Sequence, residues 1–203
     1  MTESLVYLQR VSDGELVVAI LCDEINDEHL DMWERTWSPA MEQHCDGRSL
    51  TDRPEDSHWN WRKKAAETST LLSYQSFALI ADGKLQGMMM TNNVTSSRLE
   101  SQFGKPLVYV EFLATAPWNR PEFQTPPEFR GTGRLFILAA IQASIDAEFK
   151  GRIALHSLPQ ADPFYEKKCG MTRLGTDSSH QDLTYFEMTE TQAENFRRNT
   201  MEP

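Results

Sequence analysis

The chain has 203 residues, 39% hydrophobic and 25% charged, which is ordinary for a soluble globular protein and enough for a domain with a sizeable core. Its formal net charge of −10 disfavours general nucleic-acid binding, because phosphate backbones repel an acidic chain. No run of about 18 apolar residues is available for a membrane span, and three cysteines without a CxxC pair disfavour a disulfide framework or a zinc knuckle.

The first third of the chain combines strand and helix patterns. An apolar-rich run at 5–11 favours a strand, and the run at 15–21 fits either a strand or the start of a helix. Charged residues with apolar residues spaced between them predict a helix over 23–37. A polar, turn-rich loop over 42–58 then leads into a helix near 57–72.

The middle of the chain predicts a hairpin and a long central strand. Strand patterns at 76–81 and 85–91 flank Asp82-Gly83, a dipeptide typical of a tight hairpin turn. The apolar segment 107–115 has the best strand pattern in the sequence and is bounded by proline on both sides.

The last third begins with a helix over 135–149, which has a regular apolar face and is ended by Gly151. The remaining elements are a strand over 152–158, a short helix over 160–169, a strand over 183–188 and a polar, partly helical tail after Thr189. This order predicts a mixed sheet flanked by helices, of the α/β or α+β class, in a single domain spanning 1–203.

Two glycines lie between the central strand and the long helix, in the segment Glu128-Phe129-Arg130-Gly131-Thr132-Gly133-Arg134. Glycines let the backbone approach a ligand closely, and the start of the next helix offers unpaired N–H groups to an anion. Arg130 and Arg134 add positive charge at the same place. The segment predicts a pyrophosphate site.

Three classes of pyrophosphate-bearing ligand compete for this segment. A Rossmann fingerprint needs a third glycine early in a βαβ unit, and a Walker loop needs G-x-x-x-x-G-K-S/T; the chain has neither pattern. Coenzyme A, which presents a 3′,5′-ADP and a pyrophosphate, fits the remaining pattern. The alternative is a glycine pair that merely turns the chain into a helix.

A second motif follows the next strand: Ala161-Asp162-Pro163-Phe164-Tyr165-Glu166-Lys167-Lys168-Cys169-Gly170-Met171. Together with the glycine loop it resembles the GNAT acetyltransferases, whose loop reads Q/R-x-x-G-x-G/A. The residues that match the family's C-terminal signature are Ala161, Phe164, Tyr165, Lys167, Gly170 and Met171. The resemblance covers 76–188, with two departures: Glu128 replaces the usual Gln or Arg, and Leu158 replaces a frequent Asn.

The resemblance implies a mixed, mostly antiparallel sheet that splays open beside the central strand to admit acetyl-CoA. The pantetheine would bond to the backbone of Phe112, Leu113, Ala114 and Thr115. The pyrophosphate would be held around Phe129, Arg130, Gly131, Thr132, Gly133, Arg134 and Leu135.

Acyl transfer to an amine needs a base for the amine and a proton for the departing thiolate. Glu111, in the middle of the apolar strand, is the candidate base, either directly or through a water; the alternative is a solvent-facing residue between Tyr109 and Leu113. Tyr165 matches the family position that protonates the thiolate, and the alternative is a ring that packs a short helix. His156 is a substitute base.

Four tryptophans lie in the region that caps the acceptor site in the family. They are Trp33, Trp37, Trp59 and Trp61. Their faces can hold an amine by cation–π contact, although packing of two amphipathic helices is the more common role. His44, Cys45 and His58 match no usual metal-site spacing, so no metal is predicted.

The expected function is transfer of an acetyl group from acetyl-CoA to a primary amine of a small molecule or peptide. Direct attack is expected because no Cys or Ser lies in a nucleophile motif. Two alternatives stay open: an acyl-CoA-binding module without turnover, and a toxin-like enzyme acting on aminoacyl-tRNA. The second needs a basic patch, for example from Arg62, Lys63 and Lys64.

The expected setting is cytoplasmic, because the N-terminus lacks the basic and apolar regions of a secretory signal. No membrane or nucleic-acid partner is expected, and a homodimer is an open option.

Overall fold

The computed structural model describes residues 2–201 of the chain. They form two compact units, the first comprising residues 2–89 and 113–133 and the second residues 90–112 and 134–201. Within this part of the chain, no helix combines the length and apolar character that a membrane span requires.

The described residues form nine strands. They are β1 Glu3–Arg10, β2 Leu16–Cys22, β3 Tyr74–Ala81, β4 Lys84–Ser96, β5 Pro106–Thr115, β6 Phe129–Arg130, β7 Ile153–Ser157, β8 Thr172–Asp177 and β9 Leu183–Met188. The order is β6-β1-β2-β3-β4 in the first unit and β4-β5-β7-β9-β8 in the second, since β4 and β5 contribute to both. Strands β5 and β7 are parallel, whereas β1–β2, β1–β6, β2–β3, β7–β9 and β8–β9 are antiparallel. The predicted mixed, mostly antiparallel sheet is confirmed.

The ambiguous run at 15–21 is a strand, because its residues alternate between a buried and an exposed face. In the β1–β2 register Tyr7 lies opposite Val18, and both side chains are exposed. Leu8 and Ala19 point to the other face and are buried. A period of two is what a strand with one covered face requires.

The hairpin between β3 and β4 is confirmed at Asp82 and Gly83, whose φ angles are 49° and 69°. Two consecutive positive φ values are the type I′ geometry that matches the twist of the flanking strands. Strand β4 continues past the predicted end at 91 to Ser96, because the polar residues Thr91 and Asn92 lie buried within the sheet.

The first helix, α1 Asp27–Met32, begins after Asn26, whose side chain accepts the His29 N–H at 3.0 Å. The predicted end at 37 is wrong. A π-helical turn, Trp33–Trp37, leads directly into α2 Ser38–Cys45. Pro39 is tolerated because it lies in the first turn after the π-helical turn, where its missing N–H is not needed.

Helix α3 Trp61–Thr68 is shorter at both ends than the predicted 57–72. Asn60 starts it, because the Asn60 side chain accepts the Lys63 N–H at 2.8 Å. The residues before it form turns instead, with the Trp59 N–H donating to the Asp56 carbonyl at 3.0 Å.

Helix α4 Thr132–Asp146 starts and ends three residues earlier than predicted. Glu148, not Gly151, stops it, because Glu148 is left-handed with φ 62°. The Phe149 N–H then donates to the Ser144 carbonyl at 2.7 Å, and the Glu148 N–H to the Ile145 carbonyl at 2.9 Å. These are the two bonds of a Schellman ending.

The C-terminal part contains elements that the sequence reveals only in part. The predicted short helix over 160–169 is a 3₁₀ turn, Pro159–Ala161, followed by a π-helical turn, Phe164–Lys168. Strand β8 was missed because it is polar and contains Gly175. The tail forms helix α5 Glu190–Met201.

Candidate active site

The glycine loop is fixed at its start by sheet pairing. Phe129 and Arg130 form β6 and pair with Arg10 and Gln9 of β1, and the Phe129 N–H donates to Asn119 Oδ1 at 2.9 Å. Gly131 follows with φ 102°, a conformation that disfavours any side chain. Helix α4 begins at the next residue, Thr132.

The start of α4 therefore points the N–H groups of its first turn out of a 15-residue helix. Arg130 and Gly131 are exposed beside it. The Thr132 hydroxyl is buried and has no hydrogen-bond partner among the described residues. Unpaired buried polar groups are rare, and this one is among three in the described part of the chain, with Asp162 Oδ1 and Tyr185 Oη. Donors, exposure and positive charge together fit a pyrophosphate.

Two charged residues flank the loop motif, Glu128 and Arg134, and each contacts another side chain. Glu128, the departure from the family pattern, pairs with Lys84, whose Nζ lies 3.0 Å from the Glu128 carboxylate. The Arg134 guanidinium donates to Thr200 Oγ1 at 2.6 Å and lies over the Phe196 ring, 5.0 Å from its centroid. The structure thus compensates the charge of Glu128 and places the Arg134 guanidinium against α5.

The predicted pantetheine residues lie at the end of β5. Strand β5 pairs with β7 from Val108 to Val110 and continues to Thr115. Ala114 is buried there, whereas Phe112, Leu113 and Thr115 are half-buried. Leu135, the last of the predicted cofactor residues, is half-buried in the first turn of α4.

Glu111 is half-buried on β5 and is oriented by a neighbour that sequence reasoning missed. Asn92 on β4 donates from Nδ2 to the Glu111 carboxylate at 2.8 Å. Asn92 is itself buried. A buried amide that donates to a carboxylate holds that carboxylate in one orientation.

Tyr165 lies in the π-helical turn Phe164–Lys168 and is buried. Its ring meets Phe164, with centroids 5.2 Å apart, and Phe186, with centroids 6.0 Å apart. Burial raises the pKa of the Tyr165 hydroxyl well above its ordinary value. The hydroxyl therefore stays protonated at neutral pH, which a general acid requires, while the ring also packs.

His156, the substitute base, has partners at both ring nitrogens. Tyr109 Oη lies 2.6 Å from Nδ1, and Asp177 Oδ2 lies 3.0 Å from Nε2. Burial lowers the pKa of the His156 imidazole. A ring held on both sides in this way is not positioned as a free base.

The four tryptophans come together in the first unit around a cavity of about 830 Å³. Trp33, Trp37 and Trp61 are buried, and Trp59 is half-buried, so packing and pocket lining coincide in this cluster. The Lys64 ammonium lies 4.8 Å from the centroid of the Trp59 ring. This ring thus already holds a protonated amine of the chain itself.

The lining of this cavity is acidic. Its carboxylates are Glu42, Asp46, Glu55 and Asp56, and its guanidinium groups are Arg53 and Arg120. Asp56 and Arg120 neutralise each other in a bidentate pair, with both N–O distances 2.8 Å. Glu42, Asp46 and Glu55 are exposed, so the accessible lining carries excess negative charge. Such a surface attracts cations.

The residues considered for a metal by sequence do not gather into a ligand set. The His44 ring packs on Phe123, with centroids 4.2 Å apart. Cys45 and His58 line the aromatic cavity. Arg62, considered for a basic patch, is surrounded by carboxylates: its guanidinium lies within 3.2 Å of Asp27, Asp31 and Glu34.

No protein-family model matches this sequence, and no curated protein matches it. Solved structures share its fold. A bacterial toxin is 16% identical, with a TM-score of 0.55 over 89% of this chain and 95% of its own. The PaiA N-acetyltransferase of Thermoplasma acidophilum, solved with coenzyme A, is 14% identical, with a TM-score of 0.51 over 84% of this chain and 98% of its own.

A third match is the spermidine N-acetyltransferase of Vibrio cholerae, solved with coenzyme A and spermine. It is 16% identical, with a TM-score of 0.51 over 86% of this chain and 97% of its own. The chain has the fold of the GNAT acetyltransferases.

Proposed function

We propose that this protein is an N-acyltransferase that moves an acetyl group from acetyl-CoA to an amine. The observation that carries the proposal is the start of α4. In a GNAT fold, the loop ending in Gly131 delivers a helix N-terminus, an exposed arginine and an unpaired Thr132 hydroxyl at one place. Two structures of the same fold were solved with coenzyme A.

Acetyl-CoA would supply the acyl group as a reactive thioester. The pyrophosphate would be held by the amides of Arg130, Gly131, Thr132 and Gly133, with the Arg130 side chain beside them. The backbone of β5 from Phe112 to Thr115 would align the pantetheine arm, as the resemblance implies. Because Lys84 compensates the charge of Glu128, this departure from the motif does not repel the phosphates.

The aromatic cavity of the first unit is the proposed acceptor site. Its volume of about 830 Å³ lies in the range of small-molecule pockets. Exposed carboxylates would draw in a protonated amine, and the half-buried Trp59 ring would hold it by cation–π contact. The Vibrio cholerae neighbour, which was solved with spermine, is consistent with an amine acceptor.

The proposed chemistry uses the side chains of Glu111 and Tyr165. Glu111, oriented by Asn92, would accept the proton that the amine loses, either directly or through a water. Tyr165, kept protonated by burial, would give a proton to the thiolate. Burial raises the pKa of the Cys169 thiol to about 12, which supports direct transfer without an acyl-cysteine.

The toxin-like alternative gains a fold match from the bacterial toxin, but Arg62, Lys63 and Lys64 do not supply the basic patch that it would need. Arg62 pairs with three carboxylates, Lys63 lies 3.8 Å from Glu67, and Lys64 covers Trp59. Their charges are thus balanced locally or directed at an aromatic ring, which does not favour a phosphate backbone.

A ligand that binds only the folded state raises the melting temperature, so acetyl-CoA is the direct test. The wild-type protein should be stabilised, and Gly131→Asp should lose this effect because it adds a side chain and a negative charge where φ is 102°. Gly14→Asp is the matched control, since Gly14 has φ 77° in an exposed turn with open space around it.

Thiol release from acetyl-CoA, screened against amines, polyamines, amino acids and peptides, then separates an enzyme from a binding module. Stabilisation without thiol release would favour the module. Equal stabilisation of a folded Gly131→Asp variant would remove the loop from the site.

A further inference from the structure

The second unit contains a cluster of ligand-type side chains that the proposed reaction does not use. His156 lies on β7, Asp177 ends β8, and His180 lies in the 3₁₀ turn Ser178–His180. Asp177 Oδ2 is 3.0 Å from His156 Nε2 and 3.3 Å from His180 Nδ1. One donor atom from each of the three residues lies within 4.8 Å of the others.

We propose that these three side chains bind a divalent transition-metal ion such as Zn²⁺. Two imidazoles and one carboxylate are a ligand set that zinc accepts, with a remaining position for water. Ligands about 2.0–2.1 Å from a tetrahedral ion are separated from one another by roughly 3.3 Å. The two separations to Asp177 Oδ2 are already at or slightly below this value.

The surrounding contacts prepare two of the ligands. Tyr109 Oη lies 2.6 Å from His156 Nδ1, so Nδ1 can donate to this oxygen while Nε2 faces the ion. The Ser179 N–H donates to Asp177 Oδ1 at 3.0 Å, which leaves Oδ2 on the side of the histidines. Partners of this kind hold metal ligands in their binding orientation.

Two features must change when the ion binds, besides the 2.9 Å contact between His180 Nδ1 and Ser179 Oγ. The His156 and His180 rings are stacked, with centroids 3.9 Å apart and planes at 7°. Two parallel rings cannot both point a nitrogen lone pair at one ion, so the half-exposed His180 ring must rotate about its Cβ–Cγ bond. The short turn that carries His180 leaves this ring at the surface, where it can rotate.

The second change concerns Arg98, which donates to Asp177 Oδ2. The ion must replace this guanidinium. Arg98 is 47% exposed and also lies over the Tyr185 ring, 4.2 Å from its centroid, so it retains a partner after release. A cavity of about 370 Å³ adjoins Asp177 and is lined by Arg98 and Tyr185 among others, but by neither histidine, so it adjoins the cluster on the Asp177 side.

The test is calorimetric titration of tag-free, chelator-treated protein with Zn²⁺. One saturable equivalent is expected. His180→Ala removes an exposed ligand without touching the core, and should weaken binding at least about 100-fold, since even loss of a supporting partner costs about 10–100-fold. Tyr109→Phe should cost about 10–100-fold. His58→Ala, which removes an exposed histidine elsewhere, should leave the affinity unchanged.

The Arg98→Met variant tests the direction of the change in Zn²⁺ affinity. If Arg98 competes with the ion for Asp177, its removal should tighten Zn²⁺ binding. Absence of a saturable equivalent in both the wild-type protein and Arg98→Met would overturn the proposal. So would an affinity that His180→Ala leaves unchanged. The readout needs no acyl transfer, so it stands apart from the proposed function.

Discussion

The glycine loop and the aromatic cavity differ in how their residues are distributed along the chain. The loop is continuous, and each of its properties, a positive φ, a helix start and an adjacent arginine, belongs to Arg130, Gly131 or Thr132. The cavity is lined from segments as far apart as Trp33 and Arg120. A continuous site can be recognised as a motif, whereas a dispersed site becomes visible only when the chain has folded.

The largest expected effect concerns the proposed base on β5, a strand that the sequence predicted as a continuous pattern. Glu111→Gln should lower kcat/KM by about 10²–10⁴-fold, because general base catalysis is typically worth this much. The loss should be greater at low pH, where more of the amine is protonated and needs a base. The measurement is a pH profile of thiol release once an acceptor is known. His156→Gln, measured in parallel, should retain most activity.

A loss that does not vary with pH would instead assign Glu111 a structural role. Asn92→Leu sharpens this test, because it keeps the Glu111 carboxylate but removes the amide that donates to it, together with a long 3.4 Å bond from Thr95 Oγ1. It should reproduce part of the loss with the same pH trend.

The next effect tests what holds the dispersed site together. Asp56 and Arg120 form a buried bidentate pair, with side chains 7% and 11% exposed. Removing one partner of a buried ion pair leaves the other charge buried without compensation. Asp56→Ala should therefore lower the free energy of unfolding by about 3–5 kcal/mol. Urea denaturation of the wild-type protein and the variant measures this difference in the free energy of unfolding.

Glu122→Gln is the matched control, because Glu122 accepts from the same guanidinium at 2.9 Å but is 37% exposed. It should cost at most about 1 kcal/mol. Equal effects of the two substitutions would show that the buried pair does not organise this region.

The same contrast between local and dispersed features explains which elements could be predicted from the sequence. The Asp82-Gly83 hairpin, β5 and the glycine loop depend on neighbouring residues, and their patterns predicted them. Helix ends were missed where a local exception acts: the π-helical turn carries the helix past Pro39, and left-handed Glu148 stops α4 before Gly151. No short-range sequence pattern predicts either exception.

In the candidate site, Glu111 and Tyr165 could be predicted from the sequence, but the residues that contact them could not. Both were predicted, as a member of a strand or of a motif, but the bond from Asn92 to Glu111 joins residues 19 positions apart. The His156, Asp177 and His180 cluster depends on β8, which the polar sequence around Gly175 concealed. Only sheet pairing brings such residues together.

A smaller effect is expected at Tyr165. Tyr165→Phe keeps the ring and its contacts with Phe164 and Phe186, so folding and acetyl-CoA affinity should change little. Loss of the proton donor should slow thiol release at least about tenfold. Because burial raises the pKa of this hydroxyl, the deficit should persist across neutral and moderately alkaline pH. Unchanged turnover with intact binding would make Tyr165 a packing residue.

The smallest effect is expected at Trp59, and it decides whether the aromatic cavity receives the amine. Trp59 is half-buried, whereas Trp33, Trp37 and Trp61 belong to the core, so Trp59→Leu removes a ring face at small structural cost. Cation–π contact at a partly exposed site is worth about 0.5–1 kcal/mol, so KM for the amine should rise about two- to fivefold with kcat unchanged.

Lys64 provides the control, because its ammonium already lies 4.8 Å from the Trp59 centroid. If a substrate amine competes for this ring, Lys64→Met should lower KM, the opposite of the tryptophan substitution. Steady-state kinetics on both variants and on the double variant separates the cases. If KM is the same in all three proteins, the amine does not use this ring, and the acceptor site must lie elsewhere.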